Sequence, residues 1–185
     1  MAMLDTAPRL GIKAPDFTLP DTNGKHWSLA EVAGPKGTVV AFICNHCPYV
    51  RAVVGRMVAD AKALAAEGIG FVAISANDAS SHPEDSPANM KVFAAKHVFP
   101  FPYLFDESQT TARAYDAACT PEFYGVSRTG TIEYHGRLDV GRTNPPPPDA
   151  RRELLDAMRT IAATGKGPAG QVAAVGCSIK WKRAA

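Results

Sequence analysis

Two cysteines stand three positions apart in Cys44-Asn45-His46-Cys47, directly after the apolar, β-branched run Thr38-Val39-Val40-Ala41-Phe42-Ile43. The run reads as a fully buried strand. Pro48, just past the second cysteine, suits the first turn of a helix, where its missing N–H is not needed. The spacing puts the two sulfurs about one helical turn apart, close enough to bond. Reactive groups of α/β sheets collect at such strand ends. The partial positive charge and unpaired N–H groups of a helix N-terminus favour thiolate over thiol, and thiolate is the nucleophile. A protonated His46 would add to that effect. The chemistry expected here is a dithiol–disulfide cycle at a cysteine of lowered pKa.

Other readings of the same residues compete with it. Cys44 and Cys47 could bind zinc or copper together with a histidine, His135 being the best downstream ligand. No second Cys-x-x-Cys and no His-x-x-His completes a structural zinc site, so no metal is assigned. A further alternative is a redox-sensing adaptor that binds a partner only when oxidised. Two small buried hydrophobes are the bland reading.

A second feature is Cys119-Thr120-Pro121-Glu122-Phe123. A proline entering a strand in this way is often cis, and a cis bond would bring the Thr120 backbone against the dithiol. Cys119, two residues earlier, would then lie near the site, as a second resolving thiol or as a buried small side chain.

The elements that must position these groups follow from patterning. A hairpin is expected over 11–29, turning at Asp21-Thr22-Asn23-Gly24. After the strand at 38–43, helical spacing runs from Val50 through Leu64 and stops at Gly68. A second buried strand spans 69–74, a polar loop 77–87, and a helix starts at Ser86 or Pro87 and ends near His97. A short strand at 103–105, a short helix at 108–115 and a hairpin of 122–127 with 131–135 come next. A four-proline connector precedes Asp149, which is expected to cap a last helix reaching about Ala163. The order predicts an α/β fold with a mixed central sheet and helices on both faces.

The 185 residues suit one domain, here 1–185, with an N-terminal extension over 1–10 and a tail over 165–185 that packs back through Val172, Val175, Ile179 and Trp181. A net charge of +2, from 20 basic and 18 acidic side chains, is too small to indicate nucleic acid or a membrane surface as partner. The first ten residues lack the basic-then-apolar pattern of a secretory signal, which predicts a cytoplasmic protein whose cysteines are not structural disulfides.

With the dithiol, the Thr120-Pro121 step and the late hairpin in view, the chain resembles the thioredoxin superfamily. Within it the chain is most similar to the peroxiredoxin-like redoxins, the group related to alkyl hydroperoxide reductases and thiol-specific antioxidants. Ala14-Pro15-Asp16-Phe17-Thr18-Leu19, the stretch from Phe42 to Val50, and Gly176-Cys177-Ser178-Ile179-Lys180-Trp181 carry the likeness. The resemblance implies a thioredoxin-like fold and a thiol-dependent oxidoreductase needing no organic cofactor. It implies catalytic roles for Cys44, Cys47, Thr120 and Pro121, with His46, Cys119 and Cys177 as auxiliaries. The peroxiredoxin mapping makes Cys47 the attacking thiol; the thioredoxin mapping makes it Cys44. Cys44 then stands where peroxiredoxins have a threonine, and Thr120-Pro121 where an arginine region would be, so two groups that polarise a peroxide are unmatched. The substrate is a small hydroperoxide or a disulfide, and the partner an external, thioredoxin-like dithiol reductant. Typical two-cysteine peroxiredoxins place a resolving cysteine late in the chain, a role for Cys177 that the neighbouring Cys44 makes unnecessary, and a homodimer is a common assembly of such redoxins.

Overall fold

The computed structural model describes residues 9–183, so most of the N-terminal extension expected over 1–10 lies outside the described residues. The chain opens with β1 (Thr18–Pro20) and β2 (His26–Ser28), an antiparallel hairpin. Asp21 shapes its turn by accepting the Asn23 and Lys25 N–H groups. Then come α1 (Leu29–Val32), β3 (Gly37–Phe42), α2 (Pro48–Ala66) and β4 (Gly70–Ser75). A single 3-10 turn, Pro83–Asp85, interrupts the polar loop before α3 (Pro87–Lys96). β5 (Tyr103–Phe105), α4 (Thr110–Tyr115), β6 (Cys119–Thr120), β7 (Glu122–Ser127) and β8 (Ile132–Gly136) follow. α5 (Glu153–Thr164) and β9 (Cys177–Ser178) end the chain.

The central sheet has the order β5-β4-β3-β7-β8. β3 runs parallel to β4, and β4 parallel to β5, while β7 is antiparallel to both β3 and β8. The sheet is thus mixed, as the alternation of elements implied. β3 lies at its centre, buried along its whole length, which is why it reads as an uninterrupted apolar run. Alternate residues serve two cores. Val39 and Ala41 pack with α2 and α5, through Val50, Met57, Leu64, Leu154 and Met158. Val40 and Phe42 pack with the hairpin and α4, through Phe17, Leu19, Ala112 and Tyr115.

Helix ends follow local chemistry in most places. Ser86 caps α3 through the Asn89 N–H, and Gly68 follows α2 with a φ of 81°. The last helix is a correction. It starts at Glu153, not just after Asp149, and has no side-chain cap. Tertiary contacts set its start instead: the Leu154 N–H donates to the Leu138 carbonyl, and the Arg152 guanidinium binds the buried Asp60 carboxylate. Of the tail residues expected to pack back, Ile179 is buried, Trp181 packs partly against the second core and Val172 stays exposed. The two-residue pairing of β6 with β9 had no sequence signal.

Gly125 is required for α5 to lie on β7. A Cβ there would sit 2.6 Å from Met158 Sδ and 2.8 Å from Tyr134 Cβ, both in the packed interior. Gly125→Ala is therefore expected to destabilise the protein by about 1–3 kcal/mol in urea unfolding. Adding Met158→Ala should give a loss smaller than the sum of the two single losses, because the residues share one contact.

Candidate active site

The end of β3 fixes the dithiol. Ile43 continues the sheet pairing by donating to the Ile74 carbonyl at 3.0 Å, and Cys44 follows at once. Cys47 is the N-cap residue of α2, with Pro48 at the first helical position. Across from them the Thr120–Pro121 peptide is cis. Cys44 Sγ lies 3.3 Å from Thr120 Oγ1, and Cys47 Sγ lies 3.1 Å from the Thr120 carbonyl oxygen. Cys44, Cys47, Thr120 and Pro121 therefore sit together, the first two as free and fully buried thiols.

The loop between the cysteines rests on a residue that sequence reading passed over. Asp85, at the end of the 3-10 turn, has no solvent exposure and accepts four hydrogen bonds. Oδ1 takes the N–H groups of Asn45 at 2.7 Å and His46 at 3.2 Å. Oδ2 takes His46 Nδ1 at 2.6 Å and Asn77 Nδ2 at 2.7 Å. Asn45 is held further by the Tyr103 hydroxyl, by the Glu84 carbonyl and, through its own carbonyl, by Arg51 Nε. His46 stacks on His82 with ring centroids 5.5 Å apart, and its Nδ1 is 3.9 Å from Cys44 Sγ. Nothing local marks Asp85: it lies in a polar stretch with prolines on both sides, forty residues from the loop it supports.

The two thiols are driven apart in acidity. The hydrogen bond from Cys44 brings Cys47 down to about 5, against the opposing effect of burial. The Val50 N–H in the first turn of α2 and the Cys177 thiol push the same way. No side-chain cap bond closes there, so the Val50 group acts as a nearby dipole. When protonated, Cys47 donates to the Thr120 carbonyl at 3.1 Å. Cys44 is held far above the ordinary thiol range, first by its bond to Cys47, then by burial and by the charge of Asp85. One proton and one negative charge are thus shared by the pair, with the charge on Cys47.

The remaining candidates divide. Cys119 is buried beside Glu122, and burial followed by that carboxylate pushes its thiol well up, which leaves it a small buried side chain. Cys177 comes to the site: in β9 it pairs with Thr120, whose carbonyl meets Cys47 Sγ, and it helps to lower the Cys47 thiol. His135 does not. Its Nε2 binds the buried Glu122 carboxylate at 2.6 Å and its Nδ1 accepts the Arg9 N–H, so the ligand set Cys44, Cys47 and His135 is not formed. Glu122 uses its other oxygen to hold the Ala118 and Cys119 N–H groups, which fixes β6. The metal-capable trio among the described residues is Cys44, His46 and Asp85, whose ligand atoms lie within 4.8 Å of one another. Both Asp85 oxygens are already taken by N–H donors, so a metal there would have to break those bonds.

Among the described residues no helix is long and apolar enough to cross a membrane. A search of curated protein sequences found no match. The fold and much of the sequence are shared with an uncharacterised conserved protein from Geobacillus kaustophilus, at 43% identity and a TM-score of 0.91, over 98% of this chain and 96% of that one. A hypothetical protein from Sinorhizobium meliloti is 36% identical with a TM-score of 0.89, over 97% of this chain and 98% of its own. A thiol:disulfide interchange protein of the thioredoxin family from Chlorobium tepidum shares the fold at 19% identity and a TM-score of 0.63, over 85% of this chain and 99% of that one. The AhpC/TSA family model matches residues 10–135, which take in the hairpin, the dithiol and the cis-proline step. The chain is thus a thioredoxin-like redoxin, and it belongs to the AhpC/TSA family.

Proposed function

We propose that the protein is a thiol–disulfide oxidoreductase in which Cys47 is the attacking thiolate and Cys44 its resolving partner. The observation that carries this reading is geometric: two free, buried thiols three positions apart at the strand–helix junction, Cys47 at the N-terminus of α2, both against the cis Thr120–Pro121 step. The lowering of Cys47 and the raising of Cys44 support it. Cys47 attacks one sulfur of a disulfide, the other sulfur leaves as a thiolate, and a mixed disulfide forms. Cys44 then loses its proton and attacks Cys47, which releases the reduced substrate and leaves a Cys44–Cys47 disulfide. An external dithiol restores both thiols, a cycle suited to the reducing cytoplasm and needing no organic cofactor.

Sulfur exchange is favoured over peroxide cleavage by what surrounds Cys47. The side-chain and carbonyl groups placed around its Sγ are the thiols of Cys44 and Cys177 and the Thr120 carbonyl. Splitting an O–O bond calls for strong hydrogen-bond donors around the peroxide oxygens. The Thr120 hydroxyl, the nearest such donor, is directed at Cys44. Asp85 acts as a positioning residue that shapes the loop and raises Cys44.

Reduced protein mixed with a small aromatic disulfide is expected to release thiol far faster than it reacts with an equal amount of hydrogen peroxide. Cys47→Ser should abolish both reactions, and the double variant Cys44→Ser with Cys177→Ser should stop at the mixed disulfide. A peroxide reaction much faster than that of an ordinary thiolate would reassign the substrate.

The acidity of Cys47 gives a pH signature. Thiolate ultraviolet absorbance of the reduced protein should rise with a midpoint near pH 5, and Cys47→Ser should lack that step. Because the folded value lies below that of a free cysteine at about 8.5, the native state binds fewer protons in between. The stability from this group is full above the unfolded value and is lost as pH falls through 5. Oxidation to the Cys44–Cys47 disulfide should remove that slope in denaturation measured across the same pH range.

Asp85→Asn should slow disulfide exchange by about tenfold or more, because two of the four hydrogen-bond donors lose their acceptor. It should also move the second thiol titration to lower pH, since a negative charge beside Cys44 is gone. A merely structural role would leave that second titration in place.

A further inference from the structure

Cys47 is fully buried, and the chain's own tail pairs with Thr120, the residue whose carbonyl meets Cys47 Sγ. β9 lies antiparallel on β6, with Cys177 opposite Thr120 and Ser178 opposite Cys119, and the Ile179 N–H extends the pairing to the Ala118 carbonyl. The fit is specific to the sequence at this point. Gly176 packs on the cis-proline step so closely that any Cβ would run into the Thr120 carbonyl. Beyond β9 the tail is pinned: the Lys180 N–H donates to Asn77 Oδ1, its carbonyl accepts from Asp78 and Gln109, and the Lys182 N–H donates to Gln109 Oε1. Before it, the Val172 carbonyl is held by the Arg137 N–H. Between these anchors Cys177 is presented to Cys47, and it alone of the four cysteines is partly exposed.

We propose that Cys177 is a third redox thiol, which takes over the bond to Cys47 and carries the disulfide to the surface for re-reduction. The inference rests on the dithiol cycle proposed above. The Cys177 thiolate attacks Cys47 Sγ in the Cys44–Cys47 disulfide. The Cys44–Cys47 bond breaks, a Cys47–Cys177 bond forms, and Cys44 leaves with the electron pair and takes a proton. One disulfide is exchanged for another, so no outside oxidant or reductant is consumed. Thr120 Oγ1 at 3.3 Å is placed to stabilise the departing Cys44 sulfur. An external dithiol then attacks the sulfur of the partly exposed Cys177, which expels Cys47. A thiolate of low basicity leaves faster, and Cys47 is the most acidic thiol of the cluster.

The proposal also accounts for the acidity of Cys177. Burial and then its neighbour Cys47 raise it to about 11 in the reduced protein, so it does not compete with Cys47 for substrate. Once Cys47 is tied up in a disulfide, its negative charge is gone and Cys177 becomes easier to ionise.

The test uses the full chain in glutathione redox buffers, acid-quenched, alkylated and mapped by mass spectrometry, with dithiothreitol as the external dithiol. Oxidised Cys44→Ser should carry an intramolecular Cys47–Cys177 disulfide. Cys177→Ser should still form Cys44–Cys47, but its re-reduction by dithiothreitol should slow by about tenfold or more. Re-reduction of Cys177→Ser at the wild-type rate would overturn the proposal, as would oxidised Cys44→Ser with Cys177 left free. Failure of the wild-type protein to form any Cys44–Cys47 disulfide would instead overturn the dithiol cycle itself.

Discussion

A buried carboxylate holds this site together. Asp85 has been taken wholly out of water, which is tolerable only if its lone pairs are met by donors. Three of the four donors come from the loop between the cysteines, and the fourth is the Asn77 amide. Asn77 turns its other end to the tail, where Oδ1 receives the Lys180 N–H. One connected network therefore runs from the dithiol loop, through Asp85 and Asn77, to the strand that carries Cys177. Displacing any member leaves a polar group buried without a partner, so the loop and the tail are fixed in one relative position.

Within that frame a single negative charge is distributed among sulfurs. Cys47 keeps it because it receives hydrogen bonds from two thiols at the start of a helix, whereas Cys44 faces Asp85 and Cys119 faces Glu122. Burial raises Cys119, and the bond to Cys47 together with burial raises Cys44, each with a neighbouring carboxylate adding to it, whereas donors around Cys47 outweigh its burial. Thr120 is the shared surface: its hydroxyl meets Cys44, its carbonyl meets Cys47 and its backbone pairs with Cys177. The family's peroxide-handling arrangement has a hydroxyl where Cys44 stands. In the proposed cycle the second thiol at that position takes part in passing a bond between sulfurs.

The scaffold keeps these distances short because β3 is clamped on both faces. Val39 and Ala41 lock it to α2 and α5, and Val40 and Phe42 to the hairpin and α4. Close packing of this kind leaves little room for the strand end to shift. The buried Glu122–His135 pair does the same for the opposite wall, since Glu122 also grips the backbone of β6.

The sequence by itself determined the elements with strong local signals. Continuous β-branched runs gave β3 and β4, helical spacing bounded by Pro48 and Gly68 gave α2, and turn residues gave both hairpins. Cys44, Cys47, Thr120 and Pro121 were legible for the same reason, since their meaning lies in short spacing at a strand–helix junction and in one proline step. The tertiary structure decided what depends on contacts between distant segments. Asp85, the start of α5 at Glu153, the diversion of His135 to Glu122 and the placement of Cys177 on Thr120 had no local signature. A buried charge or a two-residue strand acquires its role from the partners that packing brings to it, and those partners lie tens of residues away. Which thiol carries the charge belongs to the same class, because it is set by hydrogen bonds and charges that exist only once the four cysteines have been folded against one another.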